Sequence, residues 1–137
     1  MLSMSTHDWA PLWEQLESDR PSDAALLRAP TLEVGSPRKL PEEYALFEAP
    51  LADYDVVELT LFDRPVARGR VAYGDGFAVV APVLPVHDDD ALGPEHIGAV
   101  VERLADNAHG EGAETVYALV AADAVEHYRE FGFADAD

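Results

Sequence analysis

Two adjacent patterns between Pro94 and Val120 leave few folds open to this chain. Ile97, Val100, Val101, Leu104, Ala105 and Ala108 recur at the period of a helix with one apolar face. His109-Gly110-Glu111-Gly112 supplies the glycines that end such a helix. Thr115-Val116-Tyr117-Ala118-Leu119-Val120 then runs without a charge, as a strand buried on both faces does. Parallel strands are joined through a crossover of this kind, and a partner for this strand would then lie upstream.

The upstream sequence offers one. Val56 to Phe62 reads as a strand, Asp63-Arg64-Pro65 as a turn, and Val66 to Tyr73 as a second, alternating strand. Gly74-Asp75-Gly76 turns the chain into Phe77 to Val86, a third strand that Pro82 and Pro85 make irregular or place at an edge. Such short connections make an antiparallel meander. Ala122 to Glu130 returns to a helical pattern. The expected architecture is α+β, a mixed sheet with an antiparallel meander flanked by helices.

Before the meander the sequence is less regular. Asp8 to Asp19 reads as a helix that Asp8 can cap, with Pro11 in its first turn and Trp9, Leu12, Trp13 and Leu16 as core contacts. Prolines at 21, 30, 37, 41 and 50 punctuate the next stretch. A short helix from Pro41 to about Glu48, with Tyr44, Leu46 and Phe47 as contacts, fits proline at a first helical position. At 137 residues the chain suits one domain, with residues 1–53 as a helical and Pro-rich part and 54–133 as the core.

Charge narrows the setting. The chain carries 27 acidic and nine basic residues, a formal net charge of −18, and Lys39 is its only lysine. The core-forming segments are normal, so this is not the acidity of a disordered chain. In molar salt the Debye length falls to ~3 Å and such self-repulsion is screened. The composition resembles that of haloarchaeal cytoplasmic proteins. No Lys/Arg-rich stripe exists to displace counterions from nucleic acid, and no apolar run has the length of a membrane helix. Met1 to Asp8 lacks the basic start and apolar stretch of a secretory signal, so a cytoplasmic location is expected. There is no cysteine, which excludes disulfides and thiolate chemistry.

The closing segment carries the chemistry. Ala121, Ala124, Tyr128, Gly132 and Phe133 hold the register of Asn-x-x-Ala-x-x-x-Tyr-x-x-x-Gly-Phe at every position except the asparagine, which is Ala121. With the element order, this resembles the GNAT superfamily of acetyl-CoA-dependent N-acetyltransferases over roughly residues 54 to 133. The resemblance implies that Tyr128 protonates the departing thiolate and that backbone donors near Val83 to Val86 polarise the thioester carbonyl. It also implies that Ala91 and Gly93, in the loop before the helix, help hold the diphosphate of coenzyme A on backbone N–H groups. That loop departs from the family form Gln/Arg-x-x-Gly-x-Gly/Ala. It reads Asp88-Asp89-Asp90-Ala91-Leu92-Gly93, so only the last glycine conforms and three carboxylates stand beside the diphosphate path. Family members also continue past Gly-Phe into two more strands, whereas these residues stop at Asp137. Either the N-terminal part supplies substitutes or the fold is shortened.

Two classes of function therefore stay open. One is transfer of an acetyl group from acetyl-CoA to a small-molecule or peptide amine. The other is a non-catalytic GNAT-derived binding or scaffold domain that has lost the cofactor loop. Other groups read either way. His87, Asp88, Asp90 and His96 could ligate a divalent cation, but lack tight spacing on one element, and no metal is expected. Arg64, Arg68 and Arg70 could meet a phosphate or an acidic partner, or pair across strands with Glu58. His7, His109 and His127 read as surface residues. No Ser-His-Asp set, P-loop or dinucleotide fingerprint is present.

Overall fold

The computed structural model describes residues 8–16, 23–35, 40–51, 54–87 and 92–136. The elements are α1 (Ala10–Gln15), β1 (Ala25–Pro30), β2 (Tyr44–Pro50), β3 (Asp55–Leu61), β4 (Arg64–Tyr73), β5 (Phe77–Val80), β6 (Leu84–Pro85), α2 (Pro94–Gly110), β7 (Thr115–Val120), α3 (Val125–Glu130) and β8 (Ala134–Asp135). The strands form one mixed sheet in the order β2-β3-β4-β5-β7-β1-β8, with β6 paired to β4. The meander β3-β4-β5 is antiparallel, and β5 and β7 are the parallel pair, from Phe77 opposite Thr115 to Val80 opposite Ala118. The expected α+β architecture holds.

Sheet alternation sorts the core into two faces. Val57, Leu59, Ala67, Val71, Ala78, Val80, Val116, Ala118 and Val120 pack with α2 and α3, where Val100, Val101, Leu104 and Ala105 are buried. Ala72, Phe77, Val79, Tyr117 and Leu119 pack on the other face against Leu12, Trp13 and Leu16 of the N-terminal helix region. Helix α2 ends as its glycines predict. Gly112 takes φ 95, its N–H donates to the His109 carbonyl, and the Ala113 N–H reaches back to the Ala108 carbonyl at 2.9 Å, the Schellman pattern.

Three expectations need correction. The segment expected as a helix over Pro41 to Glu48 is a turn followed by strand β2. Tyr44 and Leu46 alternate with exposed Ala45 and Phe47, and β3 offers a full ladder from Tyr44 opposite Leu61 to Pro50 opposite Asp55. A seven-residue cross-strand pairing outweighs the helix-start preference of one proline. Asp8 does not cap α1: the N-cap is Trp9, whose carbonyl accepts from the Trp13 N–H at 3.0 Å, and no side chain caps the helix among the described residues. The described helix stops at Gln15, and 17–20 lie outside the described residues.

The third correction concerns the β3–β4 hairpin, whose turn is Phe62-Asp63 rather than Asp63-Arg64-Pro65. Both residues have positive φ, 51 and 66, as a two-residue type I′ turn demands. Phenylalanine is a poor occupant of that conformation, and Phe62 is exposed, so it gains little from packing. Replacing Phe62-Asp63 with Asn-Gly should raise stability by about 1–2 kcal/mol. Chemical denaturation of both proteins at one salt concentration would measure it, and an unchanged or lowered midpoint would contradict the turn assignment.

The sheet continues beyond β7. β1, from the N-terminal third, pairs antiparallel with β7 from Ala25 opposite Val120 to Pro30 opposite Thr115. β8, after the Gly-Phe pair, adds to the far side of β1. The N-terminal part thus supplies a flanking strand to the sheet.

Candidate functional site

The sheet opens beside β5. Between Val80, opposite Val71, and Leu84, opposite Arg68, β5 to β6 spends three residues where β4 spends two, a bulge over Ala81, Pro82 and Val83. Ala81 still donates to the Arg70 carbonyl, and Val86 donates to the Val66 carbonyl. The strand therefore stays with β4. The parallel ladder to β7 ends at Val80 and Ala118 while β7 runs on to Val120, so the two strands part there. Prolines at 82 and 85 have no N–H for a ladder, which is why the break falls at this point.

Tyr128 reaches into this region from α3. Its ring is buried and meets Phe131 and Phe133 edge-on, at centroid distances of 5.6 and 5.5 Å. The Val83 backbone N–H donates to its hydroxyl oxygen. Burial pushes the hydroxyl well above the ordinary phenol range, and the Val83 hydrogen bond only partly offsets this. The group thus stays protonated at any physiological pH. Its O–H remains a donor, because the amide uses one of the oxygen's acceptor positions.

The residues after Tyr128 hold it there. The N–H groups of Phe131 and Phe133 both donate to the Tyr128 carbonyl at 3.0 Å, and Gly132 between them has φ 109. The Tyr-x-x-x-Gly-Phe spacing therefore builds an aromatic shelf under the tyrosine ring. Of the other predicted donors, Val86 is committed to β4, and Val83 is the one whose N–H faces Tyr128.

At the start of α2, Gly93 is the N-cap and Pro94 follows it. The Gly93 N–H donates to His96 Nδ1 at 2.9 Å, and His96 Nε2 lies 3.1 Å from the Tyr44 hydroxyl. With Nδ1 as acceptor, Nε2 carries the proton and donates to Tyr44. Glu95 crowds the same turn: a Cβ built on Gly93 would lie 2.5 Å from Glu95 Oε1. A carboxylate of the chain itself thus sits at the helix N-terminus, where the dipole favours an anion. Ala91 and Asp88 to Asp90 lie outside the described residues.

The structure separates the remaining candidates. Among the described residues no three His, Asp or Glu side chains could together hold a metal ion. His96 is engaged as above, and His87 is exposed. His127 is half-buried rather than at the surface, and its Nδ1 is buried without a hydrogen-bond partner. Arg68 pairs with Glu58 directly opposite, through Nε at 3.1 Å and Nη2 at 2.7 Å, as cross-strand geometry suggested. Arg70 donates to the Leu16 carbonyl at 2.8 Å and lies 5.5 Å from the Tyr54 ring centroid. Arg64 lies beyond the β4 irregularity, opposite Leu61. Sequence reasoning missed Glu95 and the Val83 to Tyr128 bond, since neither has a local signature.

The mixed α+β sheet flanked by helices is the fold of solved GNAT N-acetyltransferases. A GCN5-related N-acetyltransferase from Kribbella flavida superposes with a TM-score of 0.63 over 85% of this chain and 55% of its own, at 19% identity. A tandem GNAT protein from the clavulanic acid biosynthesis pathway superposes with a TM-score of 0.56 over 98% of this chain and 58% of its own, at 14% identity. The chain thus spans a little over half the length of these structures. Its sequence matches no family model and no curated protein.

Proposed function

We propose that this chain is an N-acetyltransferase of the GNAT type that takes its acetyl group from acetyl-CoA and passes it to a small-molecule or peptide amine. One observation carries the reading: the Tyr128 hydroxyl and the Val83 N–H meet where the parallel strands part. Bound acetyl-CoA would supply the acetyl group as a thioester, which is already activated toward an amine. The Val83 N–H, donated to the Tyr128 oxygen, holds that hydroxyl at the parting. Tyr128 offers a phenol held neutral by burial, and the sign of its shift defines its role. A phenol raised above its normal range is less acidic than a thiol, whose ordinary pKa is ~8.5. Tyr128 therefore stabilises a leaving thiolate by hydrogen bonding rather than by full proton transfer. The diphosphate end fits less well, because Glu95 already occupies the α2 N-terminus. Weak cofactor binding follows. That same carboxylate favours a second reading, a GNAT-derived binding domain without catalysis.

The chain's charge and its single lysine, which resemble the composition of haloarchaeal cytoplasmic proteins, support a cytoplasmic setting at high salt. Calorimetric titration of acetyl-CoA in molar KCl tests the proposal. Binding is expected, tightened by about three- to tenfold in Glu95→Gln as a like charge leaves the helix terminus. Tyr128→Phe should bind comparably yet release thiol far more slowly. Absence of binding in both the unaltered protein and Glu95→Gln would establish the non-catalytic reading.

A further inference from the structure

The bulge that places Val83 beside Tyr128 has a second face. Gly69 points to α2, where an added Cβ would lie 2.7 Å from Val100 Cγ1, so Arg68 and Arg70 on either side of it point the opposite way. Val83 is buried in the α2 face, and its neighbours Pro82 and Leu84 flank it. On that opposite face a cavity of about 120 Å³ is lined by Arg68, Arg70, Pro82, Leu84, Pro85 and Val86. A whole small-molecule ligand fills ~300–1,000 Å³, so this space suits a single small group. Arg68 and Arg70 line it together with apolar side chains, the Arg68 guanidinium also bound to Glu58 and that of Arg70 to the Leu16 carbonyl. A guanidinium has five donors in a planar fork, which suits a planar anion bound at two points.

We propose that this cavity is a carboxylate-binding site and, resting on the acetyltransferase reading above, that the carboxylate belongs to the acceptor amine. Leu84 in the cavity wall follows Val83 directly in the chain, and a strand residue rises only ~3.3 Å. A carboxylate held by Arg68 and Arg70 thus lies across the same bulge from the place where Val83 and Tyr128 meet. The substrate class is then an amino acid or a peptide with a free carboxylate near its reactive amine. Glu58 is a built-in competitor, since its carboxylate already takes two donors of Arg68 with both side chains partly exposed.

The test separates this inference from the acetyltransferase reading by measuring the anion site without acetyl-CoA. Glutarate, which has carboxylates and no amine, is titrated into the full chain in molar KCl while backbone amide shifts are followed by NMR. Shifts centred on Arg68, Arg70 and Leu84 are expected. Arg68→Gln should weaken binding by about tenfold, and Glu58→Gln should tighten it by about threefold, as the charge-assisted bonds pass to the ligand. A merely structural Arg68 to Glu58 pair would leave glutarate affinity unchanged in both variants and overturn the proposal. In thiol-release assays, acid-bearing amines should outrun their carboxamide counterparts, and Arg68→Gln should abolish the preference. Equal rates for acid and amide, with acetyl-CoA still bound, would overturn the acceptor assignment alone. Glutarate binding in a protein that ignores acetyl-CoA would support the carboxylate site and overturn the acetyltransferase reading.

Discussion

Moved from molar KCl to a buffer of about 10 mM ionic strength, the protein is expected to lose its cooperative thermal transition. The accessible surface is 7454 Å² and the net charge −18, so each uncompensated negative charge has about 400 Å² and stands roughly 20 Å from the next. In molar salt the Debye length of ~3 Å makes these charges nearly invisible to one another. At 10 mM it reaches ~30 Å, longer than the spacing, and every charge repels several neighbours. Ion pairs do little to offset this. Glu58 to Arg68, Glu48 to Arg103 and Glu126 to Arg129 are all partly exposed, and such pairs contribute about 0–1 kcal/mol each. Total stabilities of ~5–15 kcal/mol leave little margin against repulsion of this extent. Circular dichroism melts across a KCl series measure the effect. The same midpoint in molar and millimolar salt would show that the acidic surface is not an adaptation to salt.

Gly132→Ala should destabilise the fold by about 3 kcal/mol, near the upper end for a single substitution. Two effects add. At φ 109 an L-residue is strained, and the new Cβ would lie 2.6 Å from the backbone oxygen of Glu33. Backbone cannot yield as a side-chain tip can, because the same stretch is tied down: Gly35 donates to the Phe131 carbonyl, and Thr31 bonds to the carbonyls of Glu114 and Ala113. The strain would pass to Phe131 and Phe133, the shelf beneath Tyr128, so the proposed acetyltransferase reading adds weaker acetyl-CoA binding to the loss. Gly110→Ala is the control. Nothing lies within 4 Å of its added Cβ, and a change within about 0.5 kcal/mol is expected. Urea denaturation of the two variants compares them, and equal effects would mean that Gly132 is kept for another reason.

Much of this molecule is written in local pattern. The period of Val100, Val101, Leu104, Ala105 and Ala108 specified α2, and the uncharged Thr115 to Val120 specified β7 to the residue. Pro82 and Pro85 announced the break in the third strand, because a residue without an N–H cannot continue a ladder. The register of Ala121, Ala124, Tyr128, Gly132 and Phe133 pointed to the fold by resemblance to a family motif, and part of it meets a local demand, a left-handed Gly132 beside the buried Tyr128 and Phe133.

What the sequence could not reveal depends on which distant strand arrives. Tyr44 to Pro50 became a strand rather than a helix only because β3 presented an open edge to it. β1 completes the sheet beyond β7 through pairings some 90 residues apart in the chain, which no local pattern records. The site shows the same division. Sequence alone singled out Tyr128, its neighbours and the acidic departure in the loop. Tertiary structure decided that the Tyr128 hydroxyl meets the Val83 N–H, that Glu95 folds over the first turn of α2, and that Arg68 and Arg70 share a cavity with the bulge. Hydrophobic period is a property of neighbours in the chain and survives in the sequence. Hydrogen bonds and cavities between elements belong to pairs of segments, and they exist only once packing has brought those segments together.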